Sequence, residues 1–455
     1  MMAPFTKLSG KDFENGHIAH NIIYLAMPLL AANLMQNFFS MFDMFLLGKL
    51  GVESQSAISI AGFVFAIFWS LEGGLMMGAS AIVARYMGKK DYSSLKNYAV
   101  NAIFAGYMMG IVFAAINYAF MGQILVYFGA KGETLTLARS IFGMSLISLI
   151  NDSGLFIFFA MLRAAGRVRD HFYLLILSIA LNTILEPLLM FGWLGFPKLG
   201  ILGAPMARFL GYFVTTCIML YILTHDKGLL KIEKQHLKLD FKFLLSYISI
   251  SLPAGFQGIA SNIAALVMLK LASVNGDALI TALGIGSRID VFIMMMGWAI
   301  GGSVAVLVGH NLGAKRPDRA EKSVITGLKF YSAFTFAWFM ICFNMPGVVM
   351  RIFSSDPSVI YYGSQYLKFV SPLYLMLGVW MLTSAAFNGA GETKTPMVIN
   401  ILAFFAVQIP TAYFLSKNPE IAHRAIFISI AAVFLFQGIA GWVMYKRGKW
   451  KEKEI

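Results

Sequence analysis

Apolar residues run through this chain in long blocks separated by short polar connections. Twelve blocks can be drawn, at 21–48, 54–86, 95–120, 137–162, 168–193, 200–224, 243–271, 281–308, 323–347, 359–387, 396–416 and 422–445. A helix rises 1.5 Å per residue, so roughly 20 apolar residues cross a hydrocarbon core about 30 Å thick. Lipid offers the backbone no hydrogen bonds, and each block is therefore predicted to be a helix. The pattern predicts an all-α polytopic membrane protein with twelve transmembrane helices.

Polar residues inside these blocks are few and not randomly placed. In the first block Asn33, Gln36, Ser40 and Asp43 are spaced by three, four and three, which is one face of a helix. The block is long enough that Asp43 falls inside the membrane or near its outer boundary. An ionised Asp at the centre of a spanning helix costs on the order of 3 kcal/mol even on the lenient insertion scale. Asp43 is therefore expected to face a wet cavity as part of an ion or proton site. In the fifth block Ser178, Asn182 and Glu186 stand four apart, one above another. The fourth block adds Asn151 and Asp152, and the second adds Glu72 beside Gly73 and Gly74. The seventh and tenth blocks contain no Asp or Glu; Gln257 and Asn262 are candidate cavity residues there, while Arg288 and Asp290 in the eighth are expected to pair. Titratable chemistry thus concentrates in the N-terminal half. Two carboxylates close together in a low dielectric cannot both ionise cheaply, so such a pair can hold a proton. The same oxygens with Asn182 could hold Na⁺ as a metal ion, and the sequence leaves both cations open.

The blocks also repeat. Pro28 and Pro253, Asn37 and Asn262, Gly51 and Gly276, Ala57 and Ala282, Gly88 and Gly313, Lys90 and Lys315, and Gly166 and Gly391 all share an offset of 225. An even number of blocks separates the copies, which makes them parallel repeats about an axis along the membrane normal. The expected domains are a six-helix lobe over 1–224, a cytoplasmic linker over 225–242 with five lysines, and a second six-helix lobe over 243–455. Two such lobes around a central cavity are the architecture of a transporter.

Composition agrees. Hydrophobic residues make up 58% and charged residues 13%, with a mean hydropathy of +0.72, against about 25% charged in a soluble domain. A net charge of +14 raises the question of nucleic acid, but the basic residues are scattered among the connections. With the N-terminus inside, 24 Lys and Arg fall in cytoplasmic segments and six outside, which places both termini in the cytoplasm of a bacterial or archaeal plasma membrane and makes the lipid bilayer, not nucleic acid, the partner. The first block lacks a small-residue cleavage site and is expected to be retained. Cys217 and Cys342 lie within apolar blocks, so no disulfide framework or metal site is implied. No HExxH or GxSxG occurs and no cofactor is implied, so an enzyme is not expected. Two unequal halves in one chain also argue against an oligomeric channel and for a monomer.

At this point the chain resembles the multidrug and toxic compound extrusion (MATE) transporters, most closely the DinF-like branch. The likeness rests on Pro28 to Gly51 with Asp43 before Leu-Gly-Lys-Leu-Gly, on Asn182-Thr-Ile-Leu-Glu186-Pro followed by Leu199-Gly-Ile-Leu-Gly-Ala204, and on Val308-Gly-His-Asn-Leu-Gly-Ala314. It implies two six-helix bundles forming a V, alternating access, and export of small amphipathic, often cationic compounds in exchange for H⁺ or Na⁺. It also implies that Asp43, Asn182 and Glu186 form the cation site. Arg208 departs from the pattern, since a hydroxyl residue is usual near that place; paired with Glu186 or Asp43 it would weaken the case for Na⁺. A flippase of lipid-linked sugars is the alternative within transport, kept alive by Arg139, Arg208, Lys270, Arg288, Lys329 and Lys368.

Overall fold

The computed structural model describes residues 12–49, 52–225, 236, 238–273, 276–418 and 421–454; most of the expected 225–242 linker, and Leu50 and Gly51 of the first motif, lie outside them. Among the described residues, twelve helices are long and apolar enough to span a membrane: Ile18–Gly48, Val64–Lys89, Tyr92–Ala119, Thr134–Ala164, Val168–Phe191, Gly200–His225, Phe241–Ala272, Asp277–Gly313, Pro317–Asn344, Pro357–Gly389, Lys394–Ser416 and Arg424–Lys446. We call these the first to twelfth spans.

Where span ends differ from the apolar blocks, polar turns account for it. The ninth span begins at Pro317, six residues before its block, because Pro at the first helical turn and Asp318 behind it start a helix that hydropathy cannot see. The tenth starts at Pro357, where the Asp356 carboxylate accepts from the backbone N–H of Ser358 (2.7 Å) and Val359 (3.2 Å). It is interrupted by a 3₁₀ turn at Ser371–Leu373 around Pro372. The eleventh widens into a π-helix over Leu402–Gln408, directly before Pro410, whose ring cannot sit against the carbonyl four residues back in a normal turn.

The repeat is carried in the backbone of each half. Lys90 has φ 59° and Lys315 φ 58°; Gly166 has φ 78° and Gly391 φ 79°. The hydrogen bonds closing these turns match as well. The N–H of Lys90 donates to Met87 and that of Lys315 to Leu312, both at 3.1 Å, while Arg167 donates to Leu162 and Glu392 to Phe387, both at 2.8 Å. Every one of these partners is 225 residues from its counterpart, so one turn geometry is built twice.

The described chain forms two compact units, one containing Met27–Ser251 and the other Phe13–Ala26 with the residues from Leu252 on. The first span thus starts in the second unit. There the Arg316 guanidinium donates to the Glu14 carbonyl (2.9 Å) and Asn15 Oδ1 (2.6 Å), Arg319 donates to the carbonyl of Gly16, and Phe13 packs edge-on against His310. Within the second unit helices approach closely at Gly389, where an added Cβ would stand 2.3 Å from the carbonyl oxygen of Ala305. Small residues at such crossings let helices approach where no hydrophobic force drives them together.

The turn geometry has a paired consequence. Gly166→Ala and Gly391→Ala should each cost about 1 kcal/mol or somewhat more, because a Cβ is strained at positive φ, whereas Lys90→Gly and Lys315→Gly should be neutral or stabilising. Thermal unfolding in detergent checks this. Unequal effects within a pair would mean that the two turns are not equivalent.

Candidate functional site

In the first unit five helices enclose a cavity of about 200 Å³. Its floor and sides are apolar, with Phe65 and Phe68 belonging to the buried cluster that also holds Phe142 and Leu149. Its polar lining is Asp43, Glu72, Asp152, Asn182, Glu186 and Arg208, together with Ser145 and Ser148.

Local packing explains why these groups meet. Leu46 and Leu47 of the first span form a buried cluster with Met190 of the fifth. Both spans run the same way, and one helical turn back from Leu47 and Met190 lie Asp43 and Glu186. The leucine–methionine contact therefore sets the two acids side by side. Gly203 and Gly211 bring the sixth span against the fifth: a Cβ at Gly203 would stand 2.6 Å from the backbone nitrogen of Met190, and one at Gly211 3.0 Å from the Ser178 carbonyl. A hydrogen bond of 2.7 Å between the hydroxyls of Ser178 and Thr215 locks that register. Ser178 is thus a helix-packing residue, while Asn182 and Glu186, one and two turns on, face the cavity. Pro187 follows Glu186 directly and deprives the Thr183 carbonyl of its helical donor.

Across the cavity, the Ser148 hydroxyl donates to the Pro205 carbonyl at 3.2 Å and joins the fourth span to the sixth. About one turn further along each helix, Arg208 meets Asp152. Its Nε and Nη2 both lie 3.2 Å from Asp152 Oδ2, and the amide of Asn151 reaches Oδ1 at 3.5 Å. The Asp152 side chain is 4% exposed and that of Arg208 36%. Arg208 also lies over the rings of Trp69 (5.9 Å) and Tyr212 (5.4 Å). The expected pairing of Arg208 with Glu186 or Asp43 is thus replaced by a pairing with Asp152, because the fourth and sixth spans are tied at Ser148 and Pro205.

Asp43 and Glu186 line the same cavity from the first and fifth spans, each within the other's field. Glu186 is 1% exposed, and its Oε1 has no hydrogen-bond partner. The Oδ1 of Asn182, itself 7% exposed, is likewise unpartnered. Two carboxyl groups and one amide oxygen face a common space, and among the described residues no basic side chain pairs with either acid, which is an arrangement that can take up a proton or a small cation.

Of the remaining sequence candidates, Asn33, Gln36 and Ser40 do not line this cavity. The first span presents Phe39, Asp43 and Leu47 to it, at steps of four. In the second unit Gln257 is buried and donates to the Thr393 carbonyl at 3.3 Å, while Asn262 is exposed on the seventh span. The expected local pair of Arg288 and Asp290 does not form: Arg288 is exposed, and Asp290 accepts hydrogen bonds from Tyr374 (2.9 Å) and Tyr366. Sequence reading marks Tyr374 as a polar residue of the tenth span but misses Tyr366 and the role of both as partners of Asp290, although their positions on either side of the Pro372 break offered a signal. Among the described residues, no cluster of three or more His, Cys, Asp or Glu has metal-binding geometry.

The MatE family profile matches residues 28–188 and again 253–414, so its two matches begin 225 residues apart. The chain is 24% identical to the probable multidrug resistance protein YoeA of Bacillus subtilis, over 94% of this chain and 93% of that one. It is 23% identical to the probable multidrug resistance protein NorM of Thermotoga maritima, over 97% and 95%. A crystal structure of MATE in the straight conformation shares the fold with a TM-score of 0.88 at 19% identity, covering 97% of this chain and 98% of that chain.

The Asp152–Arg208 pair gives a stability expectation. Arg208→Gln strands the buried Asp152 and should lower the melting temperature, whereas Arg208→Gln with Asp152→Asn should recover most of the loss, since a buried charge without its partner is worse than no charge at all. Thermal unfolding of the two variants decides it, and a double variant no better than the single would contradict the pairing.

Proposed function

The chain belongs to the MatE family of multidrug efflux transporters, and from that premise we propose that it is a cation-coupled antiporter whose coupling site is Asp43, Glu186 and Asn182. It exports small amphipathic compounds, often cationic, by alternating access, and acts as a monomer in the plasma membrane. Both termini and the 225–242 linker between the two repeated lobes face the cytoplasm, on the strength of the 24 to 6 distribution of Lys and Arg.

One observation carries the reading: the carboxyls of Asp43 and Glu186 line one cavity and, among the described residues, have no basic partner, while Asp152 in the same lining has one. Two carboxyl groups bordering one small, low-dielectric cavity cannot both ionise cheaply, which favours a shared proton. Na⁺ would draw on the same carboxylates and on the free Oδ1 of Asn182. A cationic substrate entering the cavity competes with that proton for the same negative charge, and competition for one site is what couples two opposed fluxes. Arg208 does not oppose the reading, because Asp152 already neutralises it. The lipid-linked sugar flippase would need free basic residues in the cavity, and among the described lining residues Arg208 is the sole one.

The test is efflux from proteoliposomes under separately imposed H⁺ and Na⁺ gradients. Efflux should follow the H⁺ gradient, and Asp43→Asn, Glu186→Gln and the double variant should be about equally defective, because residues that act as a unit do not add. Normal membrane abundance with retained substrate binding separates lost coupling from lost folding. A double variant that still exports against a gradient would refute the assignment. Cysteines placed at positions 230 and 420 test orientation: the second should react with an impermeant reagent from outside and the first should not.

A further inference from the structure

The cavity of the first unit holds four acids and, among its described lining residues, one base. Arg208 is committed to Asp152 through two contacts of 3.2 Å, and Asp43 and Glu186 face each other. The acid this leaves over is Glu72. It sits on the second span, one turn beyond Phe68 and Trp69 on the helix face that lines the cavity. Its side chain is 4% exposed, and its Oε1 is buried without a hydrogen-bond partner. The charged and titratable groups around it come from four other spans. Asp152 on the fourth span and Arg208 on the sixth act on it directly, Tyr212 lies beside Arg208, and Asp43 and Glu186 border the same cavity from the first and fifth spans.

The charge count around Glu72 is unfavourable if it is ionised. The local set Glu72, Asp152 and Arg208 would carry one net negative charge in a low-dielectric site, with a carboxylate oxygen that no donor satisfies. Leaving a charge so buried and unpaired costs several kcal/mol, and either a bound cation or a proton removes that cost. Arg208 cannot move over to Glu72 without stranding Asp152. A metal ion is poorly served, since the neighbouring acid Asp152 is already taken up by Arg208 and Glu72 alone does not supply the several oxygens a hard cation needs.

We propose that Glu72 is a second proton-binding site of this cavity, separate from the Asp43 and Glu186 pair, and that it gives the transport cycle a second proton. The two sites are held on different helices: Glu72 on the second span, within the field of Asp152 and Arg208, and the pair on the first and fifth spans. A proton bound at the pair and one bound at Glu72 thus border one cavity, and the substrate that fills the cavity meets both. In chemical terms the step is a plain association: a proton from water attaches to a Glu72 carboxylate oxygen and leaves again to water, with no other bond changed.

The inference rests on proton-coupled antiport for its transport consequence, though not for the protonation itself, and two measurements keep these apart. The first is infrared difference spectroscopy of the lipid-reconstituted protein between high and low pH. Glu72→Gln should remove one carboxylic acid C=O band that Asp43→Asn leaves in place. A spectrum unchanged by Glu72→Gln would overturn the proposal whatever drives transport. The second is the proton-to-substrate ratio from reversal of flux in proteoliposomes. Glu72→Gln should lower the ratio by one while efflux persists; an unchanged ratio would overturn the second proton's role in the cycle. Should Glu72→Gln reduce membrane abundance, Glu72→Asp serves in its place, with the infrared band expected to shift rather than disappear. If transport proves not to depend on H⁺ at all, the antiport reading fails while the infrared result still decides Glu72.

Discussion

A negative charge inside a membrane protein must be answered, and the first unit is built around one that is not. Asp43 and Glu186 border one cavity, among the described residues no basic side chain pairs with them, and an oxygen of Glu186 has no donor. Such an arrangement is stable only with a cation present, because an ion stripped of water and partner costs several kcal/mol. Much of the surrounding structure serves to hold the two groups there. Leu46 and Leu47 seat the first span on Met190, the absent side chains of Gly203 and Gly211 let the sixth span lie on the fifth, and the Ser178 to Thr215 bond fixes their register.

The contrast with the other buried acids makes the point sharper. Asp152 has a guanidinium and an amide. Asp290, in the second unit, has two phenol hydroxyls. Both are structural in the ordinary sense that their hydrogen bonds are filled, and neither invites a mobile ion. The acids without such partners, the Asp43 and Glu186 pair and Glu72, are those that border the cavity with an oxygen to spare. On the proposed reading, function in this fold follows the unsatisfied groups.

The fold was legible because a bilayer makes strong demands. Long apolar runs can be little else than spanning helices, and the offset of 225 recurs in the φ angles of Lys90 and Lys315 and of Gly166 and Gly391. Residues sharing one helix were also legible: four-residue spacing placed Asn182 and Glu186 on one face, and both line the cavity. Neighbours on different helices were not. Asp152 and Arg208 lie 56 residues apart, and nothing in their spacing tells that the Ser148 to Pro205 bond aligns them. The polar stripe of the first span also misled in part. Its cavity row is Phe39, Asp43 and Leu47, so Asn33, Gln36 and Ser40 share a helix with Asp43 without sharing its cavity. Polarity marks a residue as costly in lipid, but the helix packed against it decides what the residue faces.

The central claim is that substrate and proton compete for the Asp43 and Glu186 pair. It is tested most directly by the protons released when a transported compound binds to the purified protein in weakly buffered detergent solution. Binding should release protons, and Asp43→Asn with Glu186→Gln should lower the release by one per molecule bound while binding persists. Release from the native protein that the double variant leaves unchanged, or no release at all, would contradict the account.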